Sequence, residues 1–236
     1  MTLLKVTRWR FPTSMSKLIG LLGLIISFSL FAEPPSQSLY LDGDNSKWAV
    51  ILLHGRGHHP DWLVVGPLRK SIHTRLGFHT LSLQLPNDLD HWTEYADVFP
   101  AVYQQINQAV AYLLKHKQVQ HIYLLGHSMG ARMSSAYLAN QPDHPIKGLI
   151  IVGCRNNGGH PLSCSDSLMD VDIPVLDIWG DESDKDVYAG EERKALQRQG
   201  YTQISVQGAD HRFDGEEGLL AGSIINWLKQ QQAVED

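Results

Sequence analysis

The sequence predicts a single α/β domain: a mainly parallel sheet of about six strands with helices on both faces. Three observations predict it. Short apolar runs recur along the chain without the polar alternation of a solvent-facing strand, which suits strands buried on both faces. Longer stretches with apolar residues at three- and four-residue steps separate them, as helices packed on a sheet require. No linker, repeat or charge block interrupts this rhythm between residues 48 and 229, so one domain is expected.

The elements follow in order. Residues 48–53 (WAVILL) are apolar throughout and end at His54-Gly55, giving the first buried strand. A helix over 61–76 is closed by Gly77, and residues 78–83 make the second strand. A long helix is expected over 94–117, where Val98, Val102, Ile106, Val110 and Leu113 share the face that packs on the sheet. Strands over 121–125, 147–152, 175–179 and 203–206 then intersperse with helices over 131–140, 187–199 and 217–229.

Composition bounds the function. The 236 residues are 43% hydrophobic and 19% charged, which excludes a disordered or fibrous chain and leaves ample length for a core. The net charge of −5 conceals an asymmetry, because all four charges before residue 33 (Lys5, Arg8, Arg10, Lys17) are positive. The rest of the chain carries −9. Such an acidic body argues against nucleic acid as a partner, since phosphate contacts need a basic surface.

The N-terminal asymmetry reads as an address. Lys17 precedes an apolar run over 18–31, then Ala32 and the proline-rich start Glu33-Pro34-Pro35. A basic stretch, a short apolar run and a small residue make a secretory signal peptide with cleavage after Ala32. The alternative is an uncleaved anchor, but a membrane span needs about 20 apolar residues. The expected organisation is therefore a signal segment over 1–32 and a folded domain over 33–236, exported to the periplasm or beyond. Membrane contact is expected only through the N-terminal segment if it is retained. Export would let Cys154 and Cys164, ten positions apart, form a disulfide; the alternative is two free thiols. Neither cysteine sits in a catalytic motif.

Three motifs fall where chemistry would need them. Gly126-His127-Ser128-Met129-Gly130 follows an apolar strand and opens a helix, as a nucleophile elbow does. Its glycines let strand and helix pass closely, while the serine hydroxyl stands exposed on a strained turn. The backbone N–H of Met129 then points from the helix N-terminus to where an oxyanion would form. His54-Gly55-Arg56-Gly57 follows the first strand, and the Arg56 N–H is the second expected oxyanion donor. His54, at a strand end, is expected to be structural. Gly208-Ala209-Asp210-His211 lies between the last strand and the last helix and offers His211 as general base. An acid should follow strand 175–179, in the run 180–186, so that the chain order is Ser, Asp, His. His54, His58 and His59 lack the spacing of a metal site, and no cofactor is implied.

The elbow, the His-Gly loop and the final "GADH" turn together resemble the α/β-hydrolase superfamily across residues 48–230. The stretches "LLHGRGHHPDW", "TLSLQLP" and "PVLDIWG" are also similar to an uncharacterised proteobacterial family of small exported hydrolase-like proteins. The superfamily resemblance implies a serine hydrolase in which Ser128 attacks a carboxylic ester or thioester and His211 shuttles the proton. Superfamily members often carry the acid three positions after the strand-end glycine, but that position here is Ser183. Asp184 is therefore preferred, with Asp181 second and Asp186 third, and Asp177 is expected to act only as a hydrogen-bond partner within its strand. The resemblance also implies no large lid, because only about twenty residues separate strands 147–152 and 175–179. An open cleft taking a small-molecule or acyl-ester substrate follows. Two rivals remain: a non-catalytic binding module on the same scaffold, favoured by the irregular acid position, and an envelope acyltransferase using the same triad.

Overall fold

The structure, a computed structural model, describes residues 33–235; the expected signal segment lies outside them. Its strands are β1 (Leu39–Leu41), β2 (Trp48–Leu53), β3 (His79–Leu83), β4 (His121–His127), β5 (Ile146–Val152), β6 (Val175–Gly180) and β7 (Tyr201–Val206). They form one sheet in the order β1-β3-β2-β4-β5-β6-β7, parallel except for β1 against β3. The helices are α1 (Val65–Leu76), α2 (Phe99–His116), α3 (Met129–Asn140), α4 (Cys164–Leu168), α5 (Asp184–Glu192) and α6 (Glu217–Glu235).

Period-two alternation feeds two cores. In β2, Ala49, Ile51 and Leu53 pack on one face with residues of α2, α3 and α4. Trp48, Val50 and Leu52 pack on the other with residues of α1 and α6. Both faces are covered, so the central strands read as unbroken apolar runs. Among the described residues, no helix is long and apolar enough to cross a membrane.

Four element expectations need correction. A seventh strand, β1, escapes pattern reading because it is three residues long and half exposed at the sheet edge. The 61–76 helix begins only at Val65; the Asp61 carboxylate instead accepts hydrogen bonds from Arg69 (2.7 Å) and Lys70 (3.1 Å). The 94–117 helix is divided. A 3₁₀ turn, Trp92–Val98, is capped by His91 and Glu94, and α2 starts afresh with Pro100 in its first turn. The 187–199 helix begins earlier, at Asp184, and gives way to a second 3₁₀ turn, Arg193–Leu196.

The topology fixes where a site can form. The chain places β3 on one side of β2, then crosses through α2 to place β4 on the other. Loops leaving the carboxyl ends of β2 and β4 therefore diverge and open a crevice. The link from β5 to β6 holds only the short α4, and no lid domain covers the crevice among the described residues.

Candidate active site

Ser128 links the carboxyl end of β4 to α3 with φ 54° and ψ −112°, a conformation that side-chain-bearing residues rarely adopt. Holding it costs about 1–3 kcal/mol, so neighbouring packing must enforce it. The elbow glycines make that packing possible. A Cβ on Gly126 would overlap backbone atoms of Gly130 and Ala131, and one on Gly130 would overlap the carbonyl oxygens of Leu53 and His54. Helix, strand and the β2 loop thus meet backbone to backbone behind the serine.

His211 reaches this serine from the turn after β7. Its Nε2 lies 3.0 Å from Ser128 Oγ, and its Nδ1 lies 2.5 Å from Asp186 Oδ2. A carboxylate can only accept, so Nδ1 carries the hydrogen and Nε2 is left to receive the Ser128 O–H. The expected acid is therefore corrected. Asp184 stands at the exposed first position of α5, and Asp186 stands two residues on, about 200° around the helix and fully buried. The count fails because the carboxylate that meets His211 is carried in the first turn of α5 rather than in the loop before it. Asp181, the second choice, accepts the Gly208 N–H at 2.7 Å and ties the β6 loop to the His211 turn.

Comparison with known proteins gives the family and the fold. A family described as "Protein of unknown function (DUF3530)" matches residues 96–230, more than half of the chain. The chain belongs to the DUF3530 family. Ser128, Asp186 and His211 all fall inside the DUF3530 match, whereas the Arg56 loop precedes it. No curated protein matches the sequence. Among solved structures, Est1E from Butyrivibrio proteoclasticus superposes with a TM-score of 0.65 at 18% identity, covering 84% of this chain and 100% of that one. Dienelactone hydrolase from Anabaena variabilis gives 0.68 at 16% identity, covering 84% and 94%. XC6422 from Xanthomonas campestris, an α/β serine hydrolase without lid, gives 0.63 at 17% identity, covering 84% and 96%. This DUF3530 chain therefore has the α/β-hydrolase fold.

The surroundings of Asp186 explain how it stays ionised. Burial alone would raise its pKa, but hydrogen bonds and charge from His211 and Arg155 hold it below the ordinary carboxylate value. Arg155 Nε donates to Oδ1 at 2.7 Å, so each carboxylate oxygen has its own partner. Gly153, at φ 58°, lies beneath the pair: a Cβ there would stand 3.0 Å from His211 Nδ1 and 3.3 Å from Asp186 Oδ2. Sequence reasoning missed Gly153 and Arg155 as supports, although the Gly-Cys-Arg run directly after β5 marks them.

A second buried pair steadies that loop. Asp177, inside β6, holds Arg193 through two hydrogen bonds of 2.9 and 2.7 Å and also accepts from Tyr201 and Gln203. Arg193 in turn donates to the Cys154 carbonyl (2.7 Å) and to Asn156 Oδ1 (2.9 Å), flanking Arg155. Cys154 is bonded to Cys164, the first residue of α4, which closes the same loop. Asp177 is thus a hydrogen-bond partner, but its chief partner is an arginine that periodicity could not reveal.

Two histidines organise the opposite wall. His54 lies between the Gly55 carbonyl (2.8 Å) and the Leu85 N–H (3.0 Å), a neutral tautomer joining the β2 and β3 loops. Burial, first among its causes, lowers its pKa to about 4. His127 Nε2 donates to the His211 carbonyl at 2.9 Å, and burial together with the charge of His211 lowers its pKa to about 3. It therefore braces the turn that carries His211. Gly55 packs against Ser128, since a Cβ there would lie 3.3 Å from the serine Cβ. Arg56 follows at the cleft wall, where its side chain donates to the Asp90 carbonyl.

Ser128, Met129 and His211 open into a cleft of about 1040 Å³. Trp92 does double duty there, lining the wall while packing partly on the core. His58 stacks on Trp62 with ring centres 4.7 Å apart, so both are held as wall rather than as ligands. Among the described residues, no three His, Cys, Asp or Glu side chains converge as metal ligands.

Proposed function

We propose that this protein is a serine hydrolase that cleaves carboxylic esters or thioesters through Ser128, His211 and Asp186. The observation that carries the reading is the continuous hydrogen-bond chain from Ser128 Oγ through His211 to Asp186 at a strained strand-to-helix turn. The solved hydrolases of the same fold support the reaction class by analogy.

The chemistry follows from the atoms. Ser128 Oγ attacks the acyl carbon as its proton passes to His211 Nε2, and Asp186 stabilises the imidazolium through Nδ1–H. The carbonyl oxygen becomes an oxyanion facing the Met129 N–H, with Arg56 N–H as the second donor; removing one such donor typically costs about 3–4 kcal/mol. Collapse expels the alcohol or thiol, which takes its proton from His211 and leaves Ser128 acylated. Water then repeats the attack, His211 accepting its proton, and the acid is released. Asp186 supplies the acid whose irregular position had favoured a non-catalytic module. The basic-then-apolar N-terminal segment and the bonded cysteines favour export, with turnover in the periplasm or outside the cell.

Turnover of 4-nitrophenyl acetate by residues 33–236 tests the reading. The expected result is an initial burst of one 4-nitrophenolate per chain, absent from Ser128→Ala. Equal turnover by the Ser128→Ala variant would refute it.

A further inference from the structure

The cleft is basic although the chain beyond residue 32 is acidic. Its walls carry Arg56, Arg132, Arg155, Lys185 and Arg212 against only two carboxylates, Asp184 and Glu192. Most of these cations are at least partly in water, where a lone charge means little. Arg132 is different. It projects from α3, four residues after Ser128, and is only 5% exposed.

Among the described residues, no carboxylate pairs with Arg132. Its guanidinium donates to the Asn157 carbonyl (2.7 Å), the Leu162 carbonyl (2.6 Å) and Asn157 Oδ1 (2.6 Å), all uncharged. The Trp92 ring covers it at 5.2 Å. These three bonds engage three of its five N–H donors, both on Nη1 and one on Nη2. Nε–H and the other Nη2–H remain. The nearby carboxylates are committed elsewhere, Asp177 to Arg193 and Asp186 to His211 and Arg155.

A buried charge is ordinarily neutralised by a partner, since removing it from water costs several kcal/mol. Burial, then the neighbouring charges of Arg155 and Arg193, depress the Arg132 pKa to about 10 against a smaller opposing pull from the Asp186 charge, so it remains a cation near neutral pH. The fold thus retains a cation without an ion-pair partner in the wall beside the nucleophile, with donors left over in the forked arrangement that suits an oxyanion.

We propose that Arg132 is the anchor of a subsite for an oxyanion on the substrate, a carboxylate or a phosphate borne by the acyl or leaving group remote from the scissile bond. This rests on the serine-hydrolase reading above. Arg155, whose Nη groups make no hydrogen bond among the described residues, faces the same cleft and adds a second positive charge. Neutral esters of the same length lack the counter-ion the site is built to receive.

Two measurements test this. Ethyl hydrogen adipate and ethyl hexanoate match in chain length and differ in the terminal carboxylate; liberated ethanol gives kcat/KM for each. The expected ratio favours the anionic ester at least tenfold, shrinks in 1 M salt, and falls toward one in Arg132→Gln, with Arg132→Lys intermediate. In parallel, calorimetric titration with adipate and with butyl phosphate reads binding without turnover and needs only folded wild-type protein. Tighter adipate binding assigns a carboxylate, and tighter butyl phosphate binding assigns a phosphate. Rapid cleavage of ethyl hexanoate with no anionic preference and no binding of either anion would overturn the subsite and leave the hydrolase intact. Arg132-dependent binding without cleavage of either ester would keep the subsite and overturn the hydrolase. Neither binding nor cleavage would overturn both.

Discussion

Replacing Asp186 with asparagine isolates what the buried carboxylate does, because the substitution changes almost no volume. Asp186 accepts from two donors, Arg155 Nε at 2.7 Å and His211 Nδ1–H at 2.5 Å. An amide offers one oxygen and one NH₂, so it can satisfy only one of them. Arg155 is always a donor, whereas imidazole can exchange its hydrogen between nitrogens. The amide oxygen therefore turns to Arg155, and the NH₂ faces a His211 that now carries its hydrogen on Nε2. That tautomer meets Ser128 Oγ with a hydrogen and cannot accept the serine proton. A triad locked in the wrong tautomer loses about 10³–10⁴ in kcat, or about 4–5.5 kcal/mol of transition-state stabilisation.

The assay is kcat on 4-nitrophenyl acetate for wild type, Asp186→Asn and Asp184→Asn, with thermal melts to establish that each variant folds. Asp184 is exposed and touches neither His211 nor Ser128, so Asp184→Asn should stay within about threefold of wild type on this neutral ester. A folded Asp186→Asn variant retaining more than a tenth of wild-type kcat would refute the reasoning. So would a thousandfold loss in Asp184→Asn.

Three further outcomes follow from the packing and the charges. His127 and His54 are held neutral, at about 3 and about 4, against about 6.5 unfolded, so the unfolded chain binds more protons below pH 6.5 and stability falls as pH falls. Urea unfolding should show a loss of about 2–3 kcal/mol between pH 6 and pH 5, and a flat profile there would contradict the neutral, buried assignment. Gly130→Ala drives a methyl into the Leu53 and His54 carbonyls and should cost about 2–3 kcal/mol in the same assay, whereas Gly222→Ala, in open space within α6, should be neutral or stabilising. Replacing both Cys154 and Cys164 by serine opens a ten-residue loop and should cost about 3 kcal/mol; the double variant should then be indifferent to reductant, which lowers the melting temperature of wild type.

What could be read in the sequence was what a short window encodes. The buried strands show as apolar runs, and the elbow shows because glycine, serine and glycine must alternate where strand and helix backbones touch. His211 is legible from its place between the last strand and the last helix. The acid is not, because its identity depends on where α5 starts. Asp181, Asp184 and Asp186 fall within six consecutive positions, and only the helix phase decides which faces the histidine. The arginines were harder still. Arg132, Arg155 and Arg193 look like surface residues in sequence, yet their partners lie 16 to 39 positions away. β1 was lost for the opposite reason, being too short for any period to show.

Labelling with a fluorophosphonate tests the activation of Ser128 most directly, because the reagent reacts with nucleophilic serines and needs no knowledge of the substrate. Intact-mass and peptide mapping of residues 33–236 should find one adduct, on Ser128, absent from Ser128→Ala and slowed about a thousandfold or more in Asp186→Asn. Folded wild-type protein that takes no label, or an adduct that persists when Ser128 is replaced, would contradict the account.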